Sequence, residues 1–120
     1  MANPVVHFEI GCRDKATLQN FYTSLFDWHA EEKGPATMLR TGSDVGGHLT
    51  ELGHEPHNYT LFYVQVDSLE EALQKVASLG GNKIVGPAPV PDGSRFAWIR
   101  DPEGNAIGLY EPKRDQDQSS

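Results

Sequence analysis

The chain has 120 residues, a formal net charge of −7 and an isoelectric point near 5.1. This length fits one compact domain and excludes a catalytic domain with a separate regulatory one. The acidic surface repels phosphate, and the lysines and arginines are scattered, so we expect neither nucleic-acid nor membrane partners. The single cysteine excludes an internal disulfide, and the amino terminus lacks a signal-peptide pattern, so we expect a cytoplasmic location.

The chain opens with a strand and a helix. Val6, Phe8 and Ile10 alternate with His7 and Glu9, which places the two sets on opposite faces of a strand. Asp14 is a suitable N-cap for the following helix. The apolar positions of that helix recur at spacings of three and four and are Leu18, Phe21, Tyr22, Leu25 and Phe26. This stripe predicts a helix that packs on the sheet.

Short strands follow, and then the pattern restarts. The segments ending at Lys33, from Thr37 to Arg40 and from Val45 to Thr50 resemble three strands joined by tight turns. The second half repeats the order with a strand from Tyr59 to Val66 and a helix capped by Ser68 and Glu71. The stripe of this helix is Leu69, Ala72, Leu73, Val76 and Leu79, and three strands follow at 84–90, 95–100 and 106–110.

When the second half of the sequence is aligned on the first with a constant shift in residue number, Leu61 matches His7 and Ser68 matches Asp14. This correspondence indicates an internal repeat. We therefore predict an α+β domain with two βαβββ modules that form curved mixed sheets around a cup. The predicted boundaries are a single domain at 1–112, modules at about 3–50 and 59–112, a linker at 51–58 and a disordered tail at 113–120.

The helices cover one face of each sheet, so the other face lines the predicted cup. The residues assigned to this face as ligand contacts are His7, Glu9, His48, Tyr63, Phe96, Trp98 and Tyr110. An aromatic cup suits a planar or apolar small molecule. Alternatively, the same aromatic residues form part of the core or of a dimer interface and contact no ligand.

Several of these features together resemble a known superfamily. They are the βαβββ repeat, His7 on the opening strand, the Leu18-x-x-Phe21-Tyr22 helix, the Gly80-Gly81 helix end and the segment Asp101-Pro102-Glu103-Gly104-Asn105-Ala106-Ile107. The chain resembles, over residues 3 to 111, the vicinal oxygen chelate superfamily of glyoxalase, bleomycin-resistance and extradiol-dioxygenase proteins. The resemblance also implies a homodimer.

The resemblance implies where metal ligands would stand. Metal-dependent members take ligands from the first strand of each module and a carboxylate from the last strand, and some add one from the fourth strand. His7 matches the first position, whereas Leu61 and Gly108 occupy two others and offer no side-chain lone pair. A divalent metal takes three or four protein ligands. We therefore predict no cofactor, and the alternative is a rearranged metal site of His7, His48 and Glu9.

Other ionisable residues carry weaker signals. Glu9 is the candidate catalytic group, because burial beside His7 would raise its pKa and suit it to proton transfer. Its structural alternative is a solvated or paired carboxylate, and that of His7 is a hydrogen-bonded scaffold residue. His54 and His57 are interpreted as a solvated pair, and Cys12 as an inert buried thiol.

Three functions remain open from the sequence. The preferred one is metal-independent binding of a small organic molecule in the cup of a homodimer. The second is a metal-dependent enzyme around His7 and His48, a lyase or isomerase resembling glyoxalase or a dioxygenase of the same superfamily. The third is an interaction module with no ligand, because a fold alone does not choose an activity.

Overall fold

A computed structural model of the chain describes residues 2–52 and 58–113. These residues form two compact units. The first unit consists of residues 5–62, and the second consists of residues from 63 onward together with the residues before Val5. Each unit is described separately below.

The first unit contains one helix and four complete strands. They are β1 (Val5–Gly11), α1 (Lys15–Phe26), β2 (His29–Lys33), β3 (Ala36–Arg40) and β4 (Gly46–Thr50). The strand order is β2-β3-β4-β1. β1 and β4 are parallel, and the other two pairs are antiparallel, so the sheet is mixed.

Helix α1 is capped and packed as the sequence predicts. The Asp14 carboxylate accepts hydrogen bonds from the backbone N–H of Thr17 at 3.2 Å and from its hydroxyl at 2.8 Å. The core beneath the helix contains Cys12, Leu39 and Leu49, with Phe8, Ile10, Leu18, Tyr22, Trp28 and Ala30 packed against it. Burial of these side chains on one face of the sheet leaves the opposite face for His7 and Glu9.

The second unit repeats this arrangement. Its elements are β5 (Tyr59–Gln65), which begins in the first unit, then α2 (Leu69–Ser78), β6 (Asn82–Pro89), β7 (Arg95–Arg100) and β8 (Ala106–Glu111). The strand order is β5-β8-β7-β6. β5 and β8 are parallel, whereas the β6–β7 and β7–β8 pairs are antiparallel.

Helix α2 begins at a serine cap and is held to the sheet by a buried carboxylate. The Ser68 hydroxyl accepts a hydrogen bond from the backbone N–H of Glu71 at 3.2 Å. Glu111 accepts from the backbone N–H of Leu69 at 3.0 Å and from Nε of Arg95 at 2.8 Å. The hydrogen bond and charge of Arg95 lower the pKa of Glu111. The core contains Leu69, Ala97 and Leu109.

The two units therefore share one topology. In each, a helix connects the first and second strands, and the first strand pairs in parallel with the fourth. The predicted equivalence of Asp14 and Ser68 agrees with this, because both side chains cap their helices. The prediction of an α+β fold with two βαβββ modules is confirmed.

Two details of the predicted helices are wrong. Phe21, Leu25 and Phe26 were assigned to the packed stripe, but each is more than half exposed. The five apolar positions cover a wide arc of the helix, and only the row of Leu18 and Tyr22 reaches the core. Leu79 is likewise 75 % exposed, because α2 ends at Ser78 and Leu79 is its C-cap.

Some predictions fall outside the described residues. They concern His54, His57, most of the linker and the tail from residue 114 onward. Within the parts of the chain that the structure does describe, neither helix is long and apolar enough to cross a membrane.

The contact between Phe8 and Gly47 gives a first prediction. A Cβ on Gly47 would lie 2.3 Å from Cε1 of Phe8, so we expect Gly47→Ala to displace the ring and destabilise the protein by about 1 to 3 kcal/mol. Urea unfolding measures this cost. The control is the same substitution in a Phe8→Ala background, where the methyl group has room. Equal costs in both backgrounds would show that the ring is not the cause.

Candidate functional site

Strand register brings polar side chains together on the face of the first unit that lies opposite α1. In the parallel pair of β1 and β4, His7 lies beside Gly46 and Glu9 beside His48. Side chains alternate along a strand, so all three ionisable groups project from the same face. The sequence predicted this face for His7, Glu9 and His48, and the strand register places all three on it.

These side chains contact one another in a linear series. Nε2 of His7 lies 2.8 Å from Nδ1 of His48, and the two rings are stacked with their centroids 5.0 Å apart. Nε2 of His48, the other ring nitrogen, lies 3.5 Å from Oε1 of Glu9. The hydroxyl of Tyr59 donates a hydrogen bond to Oε2 of Glu9. We call His7, Glu9, His48 and Tyr59 the polar cluster.

Sequence reasoning missed Tyr59. The signal was present, because Tyr59 has the same strand parity as Tyr63, which was assigned to the cup face. Burial, followed by the hydrogen bond to Glu9, raises the pKa of Tyr59. Tyr59 therefore stays protonated and acts as a hydrogen-bond donor to the carboxylate.

Burial keeps both imidazoles of the polar cluster neutral. Desolvation, and then the nearby His48, lower the pKa of His7 to about 4. Desolvation also lowers the pKa of His48, although the negative charge of Glu9 opposes this shift. At neutral pH the cluster thus holds two uncharged rings beside a carboxylate that is 8 % exposed.

The carboxylate determines which nitrogen carries each proton. A negative oxygen beside Nε2 of His48 favours a proton on that nitrogen, because the N–H dipole then points at the charge. Nδ1 of His48 is then an acceptor, so Nε2 of His7 must donate to it. Nδ1 of His7 is then the unprotonated nitrogen of its ring. The tautomers are thus assigned from the hydrogen-bond pattern.

Aromatic side chains occupy the corresponding face of the second unit. Tyr63 lies beside Gly108, Gly108 beside Trp98, and Phe96 beside Tyr110. Nε1 of Trp98 donates to the hydroxyl of Tyr63 at 2.8 Å, and the Tyr63 ring meets Phe96 edge to face. The shared face that strand parity predicted is therefore confirmed. Whether these residues contact a ligand stays a prediction.

Gly108 stands under the Tyr63 ring. A Cβ at this position would lie 2.3 Å from Cδ1 of Tyr63, so the ring occupies the space that a side chain would need. Trp98 and Tyr63 are each 7 % exposed, whereas Phe96 and Tyr110 are half-buried. Trp98 and Tyr63 therefore pack inside the unit, whereas Phe96 and Tyr110 leave apolar surface exposed.

The residues present do not fit the metal site that the superfamily implies. Leu61 is a buried apolar side chain, and the Tyr63 ring fills the place of a carboxylate at Gly108. His7, His48 and Glu9 do come together, but Glu9 approaches the nitrogen of His48 that points away from His7. One ion would not contact all three. Across residues 2–52 and 58–113, no three His, Cys, Asp or Glu side chains form a potential metal site.

Cys12 lies in the core of the first unit. It is 2 % exposed, and its thiol contacts the carbonyl oxygen of Thr50 at 3.6 Å. Burial raises the pKa of this thiol, which opposes formation of the reactive thiolate. Cys12 thus has the environment of a structural residue.

Sequence comparison identifies the family of this chain. The family described as Glyoxalase/Bleomycin resistance protein/Dioxygenase superfamily matches residues 5–109. The chain belongs to this superfamily. The match covers every strand and helix of both units except the last two residues of β8.

The chain is also similar to two named relatives. The chain is 26 % identical over 113 residues to Putative glyoxylase CFP32 of Mycobacterium bovis and Mycobacterium tuberculosis, and the match covers 84 % of this chain. It spans 42 % of those relatives, less than half their length.

Three solved structures show the same fold at low sequence identity. A hypothetical protein from Bacillus halodurans has a TM-score of 0.72 at 19 % identity, covering 96 % of this chain and 98 % of that one. Methylmalonyl-CoA epimerase from Mycobacterium tuberculosis has a TM-score of 0.67 at 17 % identity, covering 97 % and 91 %. A superfamily member from Vibrio splendidus has a TM-score of 0.65 at 18 % identity, covering 92 % and 98 %.

The lowered pKa of His7 predicts a pH dependence of stability. His7 has a pKa of about 4 when folded and about 6.5 when unfolded, so between these values the unfolded chain binds the extra proton. Its contribution is complete above pH 6.5 and is lost as the pH falls toward 4. Because His7 keeps some contact with water, we expect a loss of about 1 kcal/mol between pH 7 and pH 5.

Urea unfolding at both pH values measures this loss. The His7→Phe variant should lose less stability than the wild type on acidification. The exposed residue His29 provides the matched control, and His29→Phe should behave like the wild type. The same pH dependence in wild type and His7→Phe would contradict the assignment.

Proposed function

We propose that this protein binds a small organic molecule at the polar cluster without a metal ion, and that it does so in the cytoplasm. The observation that carries the proposal is the hydrogen bond between His7 and His48. Each ring uses one nitrogen for the other ring, and burial keeps both rings neutral. Such a pair provides a polar surface for a small molecule without bringing a positive charge to it.

The second unit has an aromatic surface of its own that suits a small organic molecule. Phe96 and Tyr110 lie side by side on neighbouring strands, and both remain partly exposed. Rings with this exposure suit contact with a planar or apolar group. Trp98 and Tyr63 hold that face rigid through their hydrogen bond, which lowers the entropy that binding would cost.

The family assignment supports small-molecule binding as a class. The superfamily name includes both enzymes and a bleomycin resistance protein. The relatives carry a glyoxylase name, but this chain covers less than half of them and lacks two of the expected ligand side chains, at Leu61 and Gly108. We therefore place metal-independent binding ahead of a metal-dependent lyase or isomerase.

Calorimetric titration tests the metal-independent reading. We expect nickel, zinc, manganese and ferrous iron to bind the stripped wild-type protein with affinity weaker than about 10 μM, because two imidazoles are too few ligands for a tight divalent site. His7→Ala and His48→Ala should differ little from the wild type. One equivalent bound at micromolar affinity or tighter, and lost in both variants, would establish the metal-dependent alternative.

A homodimer is part of the proposal, with a second copy of this chain as the partner. Phe21, Leu25 and Phe26 of α1 are 52 %, 58 % and 51 % exposed, and every residue of the helix keeps some exposed surface. Exposed rings and leucines on one helix favour burial against another chain. Aromatic packing of Tyr22 and Phe26 with Trp28 holds this surface in place.

Sedimentation velocity tests the dimer. We expect the wild type to sediment as a dimer and Leu25→Glu to shift it toward monomer, because a carboxylate on the apolar surface opposes its burial. The matched control is Ala16→Glu, which adds the same charge at another exposed position of α1. A monomeric wild type, or equal effects of both substitutions, would contradict this surface.

A further inference from the structure

We propose that the second unit binds a neutral planar molecule with a lactam edge, and that Gln65 recognises this edge. A lactam edge is a ring carbonyl beside a ring N–H. The ring of the molecule would lie on the partly exposed surface of Phe96 and Tyr110. This inference rests on the proposed function, which assigns that surface to a small organic molecule. It adds the chemical class of the molecule and the residue that selects it.

Strand register places one residue from each strand of the second unit in a single row. Gln65 of β5 lies beside Tyr110 of β8. Phe96 of β7 lies between Tyr110 and Ala88 of β6. Val64 packs against the core of this unit, so the next side chain along β5, that of Gln65, projects from the opposite face with the two rings. The row therefore has a carboxamide at one end and a small methyl group at the other.

A buried aromatic pair borders this row on one side. The ring of Tyr63 covers Gly108, and its hydroxyl accepts a hydrogen bond from Nε1 of Trp98 at 2.8 Å. The same ring meets Phe96 edge to face, with the two centroids 6.4 Å apart. Burial and the hydrogen bond hold Tyr63 and Trp98 in place. A planar molecule on Phe96 and Tyr110 would therefore meet a rigid aromatic border.

The backbone of Gln65 is fixed on both sides. Its N–H donates to the carbonyl oxygen of Pro4 at 2.9 Å, and its carbonyl oxygen accepts from the side-chain amide of Asn3 at 3.0 Å. The side chain of Gln65 is half-buried, and its carboxamide has no hydrogen-bond partner among residues 2–52 and 58–113. The strand thus anchors a carboxamide whose donor and acceptor are both available beside the aromatic surface.

The carboxamide determines which molecular edge fits beside the rings. It presents an oxygen acceptor and an NH₂ donor side by side. A lactam edge presents the complementary donor and acceptor, so two parallel hydrogen bonds form, as when Gln reads the edge of adenine. A carboxylate has no donor for the carboxamide oxygen, and an ammonium group has no acceptor for the NH₂ group. The combination of amide and rings therefore favours a neutral, planar lactam.

Carbostyril provides a suitable probe, because it is a planar bicyclic molecule with one lactam edge. N-methylcarbostyril has the same rings and carbonyl group, but a methyl group replaces its N–H. It can stack on aromatic side chains and cannot donate a hydrogen bond to the Gln65 carboxamide. The difference in affinity between the two molecules therefore reports recognition of the edge, and their common affinity reports contact with the rings.

Calorimetric titration in metal-chelating buffer compares the two molecules. We expect the wild type to bind carbostyril about 10-fold more tightly than N-methylcarbostyril, because the methylated molecule leaves the carboxamide oxygen unpaired. Gln65→Leu should abolish this preference by weakening carbostyril alone. Gln74→Leu, at an exposed position of α2, is the matched control and should keep the preference. Equal affinities in the wild type, or an unchanged preference in Gln65→Leu, overturn the proposal.

A second measurement uses the wild type alone and does not depend on the folding of a variant. In nitrogen-15 NMR spectra, carbostyril should shift the side-chain NH₂ signals of Gln65 and leave those of Gln74 in place. N-methylcarbostyril should shift the Gln65 signals less. Saturable carbostyril binding that leaves the Gln65 signals unchanged overturns the assignment of this residue.

The inference and the proposed function fail in different ways. Equal binding of both molecules that is lost in Phe96→Ala overturns recognition of the lactam edge and leaves small-molecule binding on the aromatic surface intact. Binding of neither molecule overturns the inference. Tight metal binding that depends on His7 and His48 overturns the proposed function at the polar cluster, whereas a lactam preference lost in Gln65→Leu supports the inference in either case.

Discussion

Two glycines allow the parallel strand pairs on which both units depend. In the first unit the ring of Phe8 lies over Gly47, and in the second the ring of Tyr63 lies over Gly108. In each case a Cβ would lie 2.3 Å from the ring. The two rings differ in position relative to the helix of their own unit, since Phe8 packs against the core beneath α1, whereas Tyr63 lies on the face away from α2. The same topology therefore places an aromatic ring over a glycine in both units, on the core face in the first unit and on the face away from the helix in the second.

This constraint has different chemical consequences in the two units. In the first, Phe8 and Gly47 pair on the core face, so their neighbours Glu9 and His48 meet on the other face. In the second, the aromatic ring itself occupies the other face and takes the space of a side chain at position 108. One unit therefore presents ionisable groups and the other presents aromatic rings, although their strand orders correspond.

Burial then determines what the ionisable groups do. A histidine at the surface would be partly charged near neutral pH, but desolvation keeps His7 and His48 neutral. Neutral rings bond to each other, and the carboxylate of Glu9 selects their tautomers. The result is an ordered series of donors and acceptors rather than a ring of lone pairs around one point, which is why we place metal-independent binding ahead of metal chemistry.

The sequence by itself determined the α+β class, the two βαβββ modules, both helix caps and the faces of β1 and β5, because these depend on local periodicity and capping chemistry. It also identified His7, Glu9 and His48 as candidates. Tertiary structure decided that these three form a linear chain with Tyr59, because inter-strand register and burial are not local properties. It also decided which apolar positions of α1 are buried, because that depends on where the helix rests on the sheet.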